Sequence, residues 1–506
     1  MVDCGCSPWG GNYNIRIVTP FTRSGRGSGS LGLLILLLAA AACGPGEQLP
    51  SVVIVTIDSL RADHLHHAGD PRDLSPRLDA LAAQATRFSQ AGASAPWTTP
   101  SVMTLFTGLT PGTHHVDLND RALAATVPTL AELFRGAGYR TAAIMPALTL
   151  ADHFGFDRGF DDFIFATQGH SNVSGPWSIN HAIEFLRDHR DEPIFLYVHL
   201  WDVHYNYNPP VPHSIRFQAG RPAGPGETDD ITVLAGPGHD AASLSPERVA
   251  WLEGQYAGEI LFTDEQVGRL LDELDRLGRT DDTVVVVTAD HGEAFLEHRV
   301  MGHTVHLYDE MTHVPLLVRW PGQVMAGRIV DEQVGLVDMM PTLLDLVGIP
   351  FASQWFEGRN LAPLLRSKRP EEEGPPLLLG TSRQAMKRGL RTPSWSYQVD
   401  LVTGEDELYD LVADPGQQEN LAIALPREAA TWHRRLCKRL AHRLPGGEVG
   451  IDPLPADLQE ILAAGLRTLG YVSPAGSKGG RQGDPAVERQ RILKATGCPV
   501  ELLPGP

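Results

Sequence analysis

Basic residues are scarce in this sequence. Its 506 residues include 42 Lys and Arg against 61 Asp and Glu, which gives a formal net charge of −19 at pH 7. A surface of this sign repels nucleic acid and anionic membranes. We therefore expect no nucleic-acid partner. An anionic substrate would need local positive charge, from a metal ion or from histidine.

Cysteine is scarce as well, with five residues in the chain. None of them lies in a C-x-x-C motif or in a Cys/His cluster, so the sequence excludes a thiolate-based structural zinc site. A metal ion would have to bind oxygen and imidazole ligands. Cys437 and Cys498 are the two cysteines outside the N-terminal region. They could pair in an oxidising compartment, which the sequence leaves open.

Long apolar runs are also rare, and the clearest one covers residues 31–42, LGLLILLLAAAA. It is too short for a membrane span but suits the core of a signal peptide, with Arg23 and Arg26 ahead of it. The run ends at Cys43, an arrangement that resembles a bacterial lipoprotein signal. Ala40 replaces the usual leucine, so a plain secretory signal is the alternative. We expect residues 1–43 to be a leader, Cys43 to be lipidated, and the protein to be exported and lipid-anchored in a bacterial cell envelope, facing the periplasm.

What the sequence does contain is a regular alternation of strands and helices. Runs rich in β-branched residues at 51–58, 194–199 and 283–288 are typical of strands that are buried on both faces of a parallel sheet. Helical periodicity covers 76–87 and 247–277. This order predicts a doubly wound α/β domain. Residues 203–247 are rich in Pro, Gly and Asp, and we interpret them as a long loop over the active face or as a disordered insertion.

The composition of the sequence changes near residue 370, in the charged, proline-containing linker RSKRPEEEGPP. We predict a large domain over 47–370 and a C-terminal subdomain over 371–473. The subdomain should contain a hairpin with Thr403-Gly404 near its turn and helices at 426–443 and 455–468. Residues 474–506 are predicted to be an unstructured tail.

Acidic and imidazole side chains follow each of the three buried runs. Asp58 ends the first, Asp202 and His204 follow the second, and Asp290-His291 follow the third. The carboxyl ends of parallel strands meet at one edge of a sheet, where ligands bind in α/β folds. Carboxylates together with imidazole suit a divalent ion such as Zn²⁺, Mn²⁺ or Ca²⁺.

A second candidate element is APWTTPSVMTLFTG, residues 95–108. Pro100 suits the first turn of a helix and Gly108 suits its end, which places Thr98 and Thr99 at the amino-terminal edge. One threonine could simply cap the helix. Alternatively, a hydroxyl beside a divalent cation has a lowered pKa and acts as a nucleophile.

Seven blocks of the sequence together resemble the sulfatase family of the alkaline phosphatase superfamily. In order they are VVIVTIDSLRADHL, SPRLDALAAQATRF, TTPSVMTLFTG, VVVVTADHGE, MGHTVHLYDEMTHVPLLVRWPG, ELYDLVADPGQQENLA and LRTLGYV. The resemblance covers roughly residues 50–472. It implies a catalytic α/β domain with a large mixed, mostly parallel sheet flanked by helices. It also implies a small C-terminal subdomain with an antiparallel sheet and a helix.

The resemblance assigns roles to individual residues. Asp58 matches the first acid of the family's metal-binding pair, while Ser59 replaces the second. Asp290 and His291 match the second ligand pair. His204 matches a substrate-binding histidine, and His303 falls where many members have a lysine that holds the sulfate. In one interpretation the two histidines bind the substrate anion or protonate the leaving group; in another, Asp202, His204 and His303 form a second metal site.

The nucleophile position departs from the family. Sulfatases carry C-x-P-x-R or S-x-P-x-R, in which Cys or Ser becomes formylglycine, whereas this chain has Thr98 and, at the arginine position, Val102. Oxidation of threonine would give a ketone rather than an aldehyde, so Thr98 favours direct attack on a phosphate or phosphonate ester. The substrate would be an anionic ester of a small molecule, a glycan or a lipid. The alternatives are hydrolysis of sulfate esters without formylglycine, phosphoryl transfer to an acceptor, and an inactive binding lipoprotein.

Overall fold

A computed structural model describes residues 49–166, 174–217, 244–366, 374–383, 385–442, 449–450, 452–455, 458–459 and 485–498. Three predictions lie outside these ranges: the leader with Cys43, the larger part of the 203–247 segment, and most of the helix at 455–468. No helix within the described ranges combines the length and the apolar character that a membrane span requires.

The centre of the molecule is an eight-stranded sheet. Its strands are β1 Ser51–Ile57, β2 Thr86–Gly92, β4 Arg140–Met145, β5 Asp162–Phe165, β6 Ile194–Leu200, β7 Thr283–Ala289, β10 Leu316–Arg319 and β11 Arg328–Gly335. They lie in the order β11-β2-β10-β7-β1-β6-β4-β5. Only β10 runs antiparallel to its neighbours, so the sheet is mixed and mostly parallel, as expected. Two short pairs lie outside it, β3 Arg121–Ala122 with β16 Asp452–Pro453 and β8 Ala294–Phe295 with β9 Met301–Gly302.

Strands β6, β1 and β7 form the buried middle of the sheet. Every residue of all three is buried, because β-branched and aromatic side chains pack against helices on both faces. The pairing aligns their carboxyl ends: Ile57 of β1 lies beside Leu200 of β6 and Ala289 of β7. The residues that follow these strands therefore emerge side by side at one edge.

Helices cover both faces of the sheet. The α-helices of this part of the chain are Pro76–Ala82, Thr98–Thr107, Pro111–His114, Leu130–Gly136, Gly175–Asp188, His213–Arg216, Pro246–Arg276, Asp309–Thr312, Met339–Leu346 and Ala362–Leu365. The 3₁₀ helices are Ala62–His64, His66–Ala68, Leu148–Leu150, Asp152–Phe154, Leu336–Asp338 and Ser353–Trp355. The helix predicted at 247–277 is confirmed. The one predicted at 76–87 is too long, because Thr86 already begins β2 and pairs with Val318 and Arg328.

The C-terminal subdomain is a four-stranded antiparallel sheet with one long helix. Its strands are β12 Leu377–Thr381, β13 Lys387–Arg391, β14 Trp395–Asp400 and β15 Asp406–Asp410, and its helix is Pro426–Ala441. Trp432 and Leu436 of the helix pack on Tyr397 and Leu408 of the sheet. The hairpin between β14 and β15 turns at Gly404, which has a φ of 76°, as predicted. The predicted fold class is confirmed in both parts.

The prediction that residues 474–506 are unstructured is wrong for Pro485–Ala495, which form a helix. A disulfide joins Cys437 to Cys498, with their Cα atoms 5.5 Å apart. Leu493 is fully buried beside the two cysteines. The composition of the tail gave no sign of this helix, because its packing depends on a partner 61 residues away.

Candidate active site

The strand register brings three of the predicted ligands together. Asp58 follows β1, and Asp290 and His291 follow β7, which pairs with β1 over its whole length. The three side chains are fully buried. Each offers a ligand atom within 4.8 Å of the others, and within the described ranges no other group of His, Cys, Asp and Glu does so. This confirms that the residues converge as the sequence predicted.

Thr98 lies directly against this group. The helix Thr98–Thr107 is preceded by Trp97 in extended conformation and ends at Gly108, whose φ of 63° suits glycine. Oγ1 of Thr98 is 3.4 Å from Oδ2 of Asp58 and 3.3 Å from Nε2 of His291. The hydroxyl of Thr99 instead donates to the carbonyl of Thr149 at 2.7 Å. The structure thus places Thr98, and not Thr99, at the site.

The donor atoms at this position fit a divalent cation. Oδ2 of Asp290 is buried and has no hydrogen-bond partner, which is costly for a carboxylate unless a cation neutralises it. Nδ1 of His291 is 2.9 Å from the carbonyl of Gly292, so Nδ1 carries the proton and Nε2 offers its lone pair. Two carboxylates and one imidazole match the ligands that Zn²⁺ and Mn²⁺ accept.

The pKa values of the two carboxylates are shifted in opposite directions. Burial raises the pKa of Asp58, but a hydrogen bond from His199 and the nearby imidazoles of His204 and His291 outweigh it, so the net pKa is lowered. Burial and the negative charge of Asp58 raise the pKa of Asp290. Two carboxylates this close repel each other unless a positive charge lies between them.

Ser59 stands where the family has a second acid, and it forms hydrogen bonds to both carboxylates. Its Oγ donates to Oδ1 of Asp58 at 2.9 Å, and its backbone N–H donates to Oδ1 of Asp290 at 3.2 Å. Its φ of 57° is left-handed, so the backbone turns sharply as the chain leaves β1. The replacement of the acid by Ser59 therefore keeps Asp58 and Asp290 connected through hydrogen bonds.

The predicted histidines lie on one side of the ligand group. The ring of His303 is 4.3 Å from that of His291 and 5.0 Å from that of His204, measured between centroids. The ring of His204 also stacks on Trp201 at 4.0 Å. Both histidines are buried, and His303 borders His291, whose Nε2 is 3.3 Å from Oγ1 of Thr98.

Asp202 is turned toward a helix terminus instead. Its carboxylate accepts hydrogen bonds from Ser174 Oγ at 3.1 Å and from Gly175 N at 2.9 Å. Over the described part of the chain, Asp202, His204 and His303 do not form a cation-sized group of ligand atoms. The interpretation of the two histidines as substrate-binding groups fits this arrangement better than a second metal site.

Sequence reasoning missed three residues that adjoin the site. Glu293 lies 3.1 Å from His303, and His199 lies 3.0 Å from Asp58. Arg383, from the segment after β12, stacks with its guanidinium carbon 4.3 Å from the ring centroid of Trp97. The motif DHGE and the strand FLYVHL contained signals for the first two. Nothing local signals Arg383, because it comes from the C-terminal subdomain.

The segment that carries Arg383 is held against the large α/β domain by hydrogen bonds. Gly380 N donates to the carbonyl of Ser94 at 2.9 Å, and Thr381 Oγ1 donates to the carbonyl of Thr304 at 2.8 Å. Burial, followed by the charges of His291, His204 and Arg383, lowers the pKa of His303. The C-terminal subdomain thus brings a fixed positive charge next to the site.

Comparisons with known proteins point to one family. The profile of the family described as Sulfatase matches residues 50–349, and the profile described as N-sulphoglucosamine sulphohydrolase, C-terminal, matches residues 296–444. An ulvan-active sulfatase of Formosa agariphila is 28% identical over 409 residues, covering 74% of this chain and 77% of that protein. A Δ4,5-hexuronate-2-O-sulfatase of Bacteroides thetaiotaomicron is 26% identical over 425 residues, covering 76% and 88%.

A solved structure shows the same fold. The phosphonate monoester hydrolase of Agrobacterium radiobacter superposes with a TM-score of 0.66 at 23% identity, covering 77% of this chain and 95% of that one. At this identity the likeness establishes the architecture of the chain.

Proposed function

The chain belongs to the sulfatase family, with the fold of the alkaline phosphatase superfamily, and from that membership we propose that it is a metal-dependent ester hydrolase with Thr98 as its nucleophile. The observation that carries the proposal is the position of Thr98 Oγ1, 3.4 Å from Asp58 and 3.3 Å from His291. Asp58, Asp290 and His291 would hold the divalent ion. Such an ion, when bound, lowers the pKa of a neighbouring hydroxyl and stabilises negative charge on the ester oxygens.

Thr98 attacks the central atom of the ester. Its Oγ1 forms a bond to phosphorus as the bond from phosphorus to the leaving oxygen breaks, and the hydroxyl proton passes to solvent. Water then cleaves the phosphothreonine and restores the hydroxyl. The amino-terminal edge of the helix Thr98–Thr107 favours the negative charge that develops there.

His303 and His204 serve the leaving group and the anion. Both rings adjoin the ligand group, with the ring of His303 4.3 Å from that of His291. Burial lowers the pKa of His303 and raises the pKa of Glu293, so near pH 7 the ring is neutral and the protonated carboxyl of Glu293 donates to its Nδ1. The single N–H of the ring is then on Nε2, from which it can donate to an ester oxygen. The charge of Arg383 beside Trp97 adds to the attraction of an anionic substrate.

The chemistry of threonine favours a phosphate or phosphonate ester. A formylglycine hydrate expels sulfate by elimination, whereas a threonine that had taken up sulfate could release it only through a second attack at sulfur. A phosphothreonine intermediate is resolved by ordinary attack of water at phosphorus. Transfer to an acceptor other than water would proceed through the same intermediate.

The relatives favour a second candidate function, hydrolysis of sulfate esters on glycans. Two of them are named as sulfatases that act on ulvan and on a hexuronate 2-O-sulfate. A sulfate ester of an acidic glycan would also be attracted by Arg383. We further propose that the protein works outside the cytoplasm through lipidated Cys43. The disulfide between Cys437 and Cys498 agrees with an oxidising compartment.

A panel of substrates tests the proposal. Nitrophenyl phosphate, phosphonate, phosphodiester and sulfate are assayed with Zn²⁺, Mn²⁺ and Ca²⁺, using wild type, Thr98→Ala and Thr99→Ala. We expect the phosphorus esters to be cleaved best, and Thr98→Ala to lose at least about 10³-fold in kcat because it removes the nucleophile. Thr99→Ala, one residue away but bonded to Thr149, is the matched control and should keep its activity.

The same panel separates the alternatives. Sulfate as the best substrate, with Thr98→Ala inactive, supports a sulfatase that works without formylglycine. Full activity of Thr98→Ala overturns the assignment of the nucleophile. Tight metal binding without turnover of any ester supports an inactive binding protein on the same fold.

A further inference from the structure

His199 is a fully buried imidazole with no role in the steps above. It is the sixth residue of β6, and the parallel register places it beside Thr56 of β1, two residues before Asp58. Its exposure is 0%, as is that of Asp58. A polar ring on an all-buried strand is costly unless both of its nitrogens are satisfied.

Both nitrogens of His199 face specific partners. Nε2 lies 3.0 Å from Oδ2 of Asp58, and Nδ1 lies 3.1 Å from the hydroxyl of Tyr197. The carboxylate of Asp58 can only accept, so Nε2 must carry a proton. A neutral ring then has its lone pair on Nδ1, where the hydroxyl of Tyr197 donates. The chain of donors runs in one direction, from Tyr197 through His199 to Asp58.

This geometry keeps His199 out of the ligand set. Its Nε2 points at Asp58 Oδ2, and its Nδ1 points at Tyr197, so neither nitrogen offers a lone pair toward Asp290 or His291. Oδ2 of Asp58 is also the atom that the hydroxyl of Thr98 reaches, at 3.4 Å. Whatever holds that oxygen in place also sets the position of the nucleophile relative to its metal ligands.

We propose that His199 is a positioning residue, which fixes the rotation of the Asp58 carboxylate through the Tyr197–His199–Asp58 hydrogen bonds and so sets the affinity of the site for its divalent cation. The inference rests on the metal site of the proposed function. Groups that hydrogen-bond a metal-ligating carboxylate are worth about 10–100-fold in metal affinity. In this chain, which has Ser59 in place of the family's second acid, two groups besides the proposed nucleophile hold Asp58: Ser59 on Oδ1 and His199 on Oδ2.

Three variants separate positioning from packing. His199→Leu keeps an apolar side chain of similar size but removes the donor. His199→Gln keeps a donor N–H at nearly the position of Nε2. Tyr197→Phe leaves the ring of His199 in place and removes the hydroxyl that donates to its Nδ1. It is also the mildest change, so it keeps the test usable if His199→Leu fails to fold.

The measurement is Zn²⁺ affinity by competition with a chelator, together with the visible absorption spectrum of the Co²⁺-loaded protein, both without substrate. We expect His199→Leu to bind Zn²⁺ about 10–100-fold more weakly, Tyr197→Phe to show a smaller loss in the same direction, and His199→Gln to remain close to wild type. The Co²⁺ spectrum should be the same in all four proteins, because the set of ligand atoms does not change.

Two results would overturn the inference. Unchanged Zn²⁺ affinity in His199→Leu and Tyr197→Phe means that His199 only fills space. A Co²⁺ spectrum that changes in His199→Leu and His199→Gln means that His199 is itself a ligand. Failure of the proposed function is recognised separately: wild type that binds Zn²⁺, loses affinity in His199→Leu and cleaves no ester refutes the hydrolase while supporting the role of His199. Wild type without any Zn²⁺ or Co²⁺ binding refutes both.

Discussion

Oε1 of Glu293 lies 3.1 Å from Nδ1 of His303, and neither side chain has any solvent exposure. Glu293 stands two residues after His291, whereas His303 follows the end of β9. The contact joins the loop after β7 to the histidine that we propose faces the leaving group. Because both side chains are buried, water cannot take the place of either hydrogen-bond partner. The contact therefore fixes the rotation of the His303 ring.

Replacing Glu293 should therefore affect turnover more than substrate binding. We expect Glu293→Ala to lower kcat by about 10–100-fold with little change in KM, because the ring of His303 loses its orientation. Glu293→Gln, whose amide N–H can still donate to Nδ1 of His303, should recover most of the activity. Steady-state kinetics on both variants measure this, and equal losses in the two would show that the contact is not about orientation.

Asp290→Asn should make the metal-free protein more stable. Burial and the charge of Asp58 raise the pKa of Asp290. Without a cation, the two ionised carboxylates therefore repel each other at pH values above that pKa and destabilise the folded protein. The amide keeps an oxygen for the N–H groups of Ser59 and His291. We expect Tm without metal to rise by roughly 1–3 °C, and the increase of Tm on adding Zn²⁺ to disappear.

Asp338→Asn is the matched control for that measurement. Asp338 is also a buried carboxylate that accepts backbone hydrogen bonds, from Gly335 and Arg359, and burial raises its pKa to about 6. It lies away from the ligand group, so its variant should keep the full response to Zn²⁺. An Asp290→Asn protein that Zn²⁺ still stabilises as much as wild type would remove Asp290 from the ligand set.

Arg383→Met should weaken the binding of anionic substrates. The guanidinium is buried over Trp97, the residue before Thr98. A charged hydrogen bond from it to a substrate anion would be worth about 1.5–3 kcal/mol, or roughly 10–100-fold in KM. Arg366→Met, which removes an arginine paired with Asp345 on the surface, is the control. If both variants keep the wild-type KM for every anionic ester, Arg383 serves only the packing of the two domains.

Stability should depend on pH through His298. Its Nδ1 lies 2.6 Å from Glu310 and its Nε2 lies 3.0 Å from the carbonyl of Gln417, two acceptors that only the protonated ring can satisfy together. Burial lowers the pKa of His298, but the hydrogen bond and charge of Glu310 outweigh it, so the net pKa is raised above 6.5. The stabilisation is complete below the unfolded pKa and is lost as pH rises through the folded one.

We therefore expect His298→Gln to destabilise the protein by about 1–2 kcal/mol near pH 6, and by much less near pH 9. Chemical unfolding of both proteins across this range gives the difference directly. Glu310→Gln should reproduce the same pH dependence because it removes the other partner. A difference between wild type and His298→Gln that does not vary with pH would contradict the charged contact.

Reduction of the disulfide should release the C-terminal helix. Cys437 and Cys498 are 61 residues apart, and closing a loop of that length stabilises the folded state by about 4 kcal/mol in the chain-entropy account. We expect Cys498→Ala to lower Tm and to expose Pro485–Ala495 to proteolysis, while the site at Thr98 keeps its activity. Thiol titration of the denatured, unreduced protein should find neither cysteine free, and two free thiols would refute the bond.

Much of the site could be predicted because it depends on strand ends. Asp58, Asp290 and His291 follow buried runs directly, and parallel pairing must bring the carboxyl ends of adjacent strands together. Thr98 could be located because Pro100 and Gly108 mark the ends of its helix. The error at 76–87 had the opposite cause: a short amphipathic stretch carries a weak periodic signal, and only pairing with β10 and β11 makes Thr86–Gly92 a strand.

By itself the sequence determined the α/β class, the order of the elements and the convergence of Asp58, Asp290 and His291, because local pattern and strand register carry that information. The tertiary structure decided what long-range contacts supply. These are the turn of Asp202 away from the site, the hydrogen bonds that hold Asp58 and His303, and the arrival of Arg383 from the C-terminal subdomain. The bond between Cys437 and Cys498 belongs with them. Each depends on residues far apart in the chain whose approach is set by packing, which no local pattern encodes.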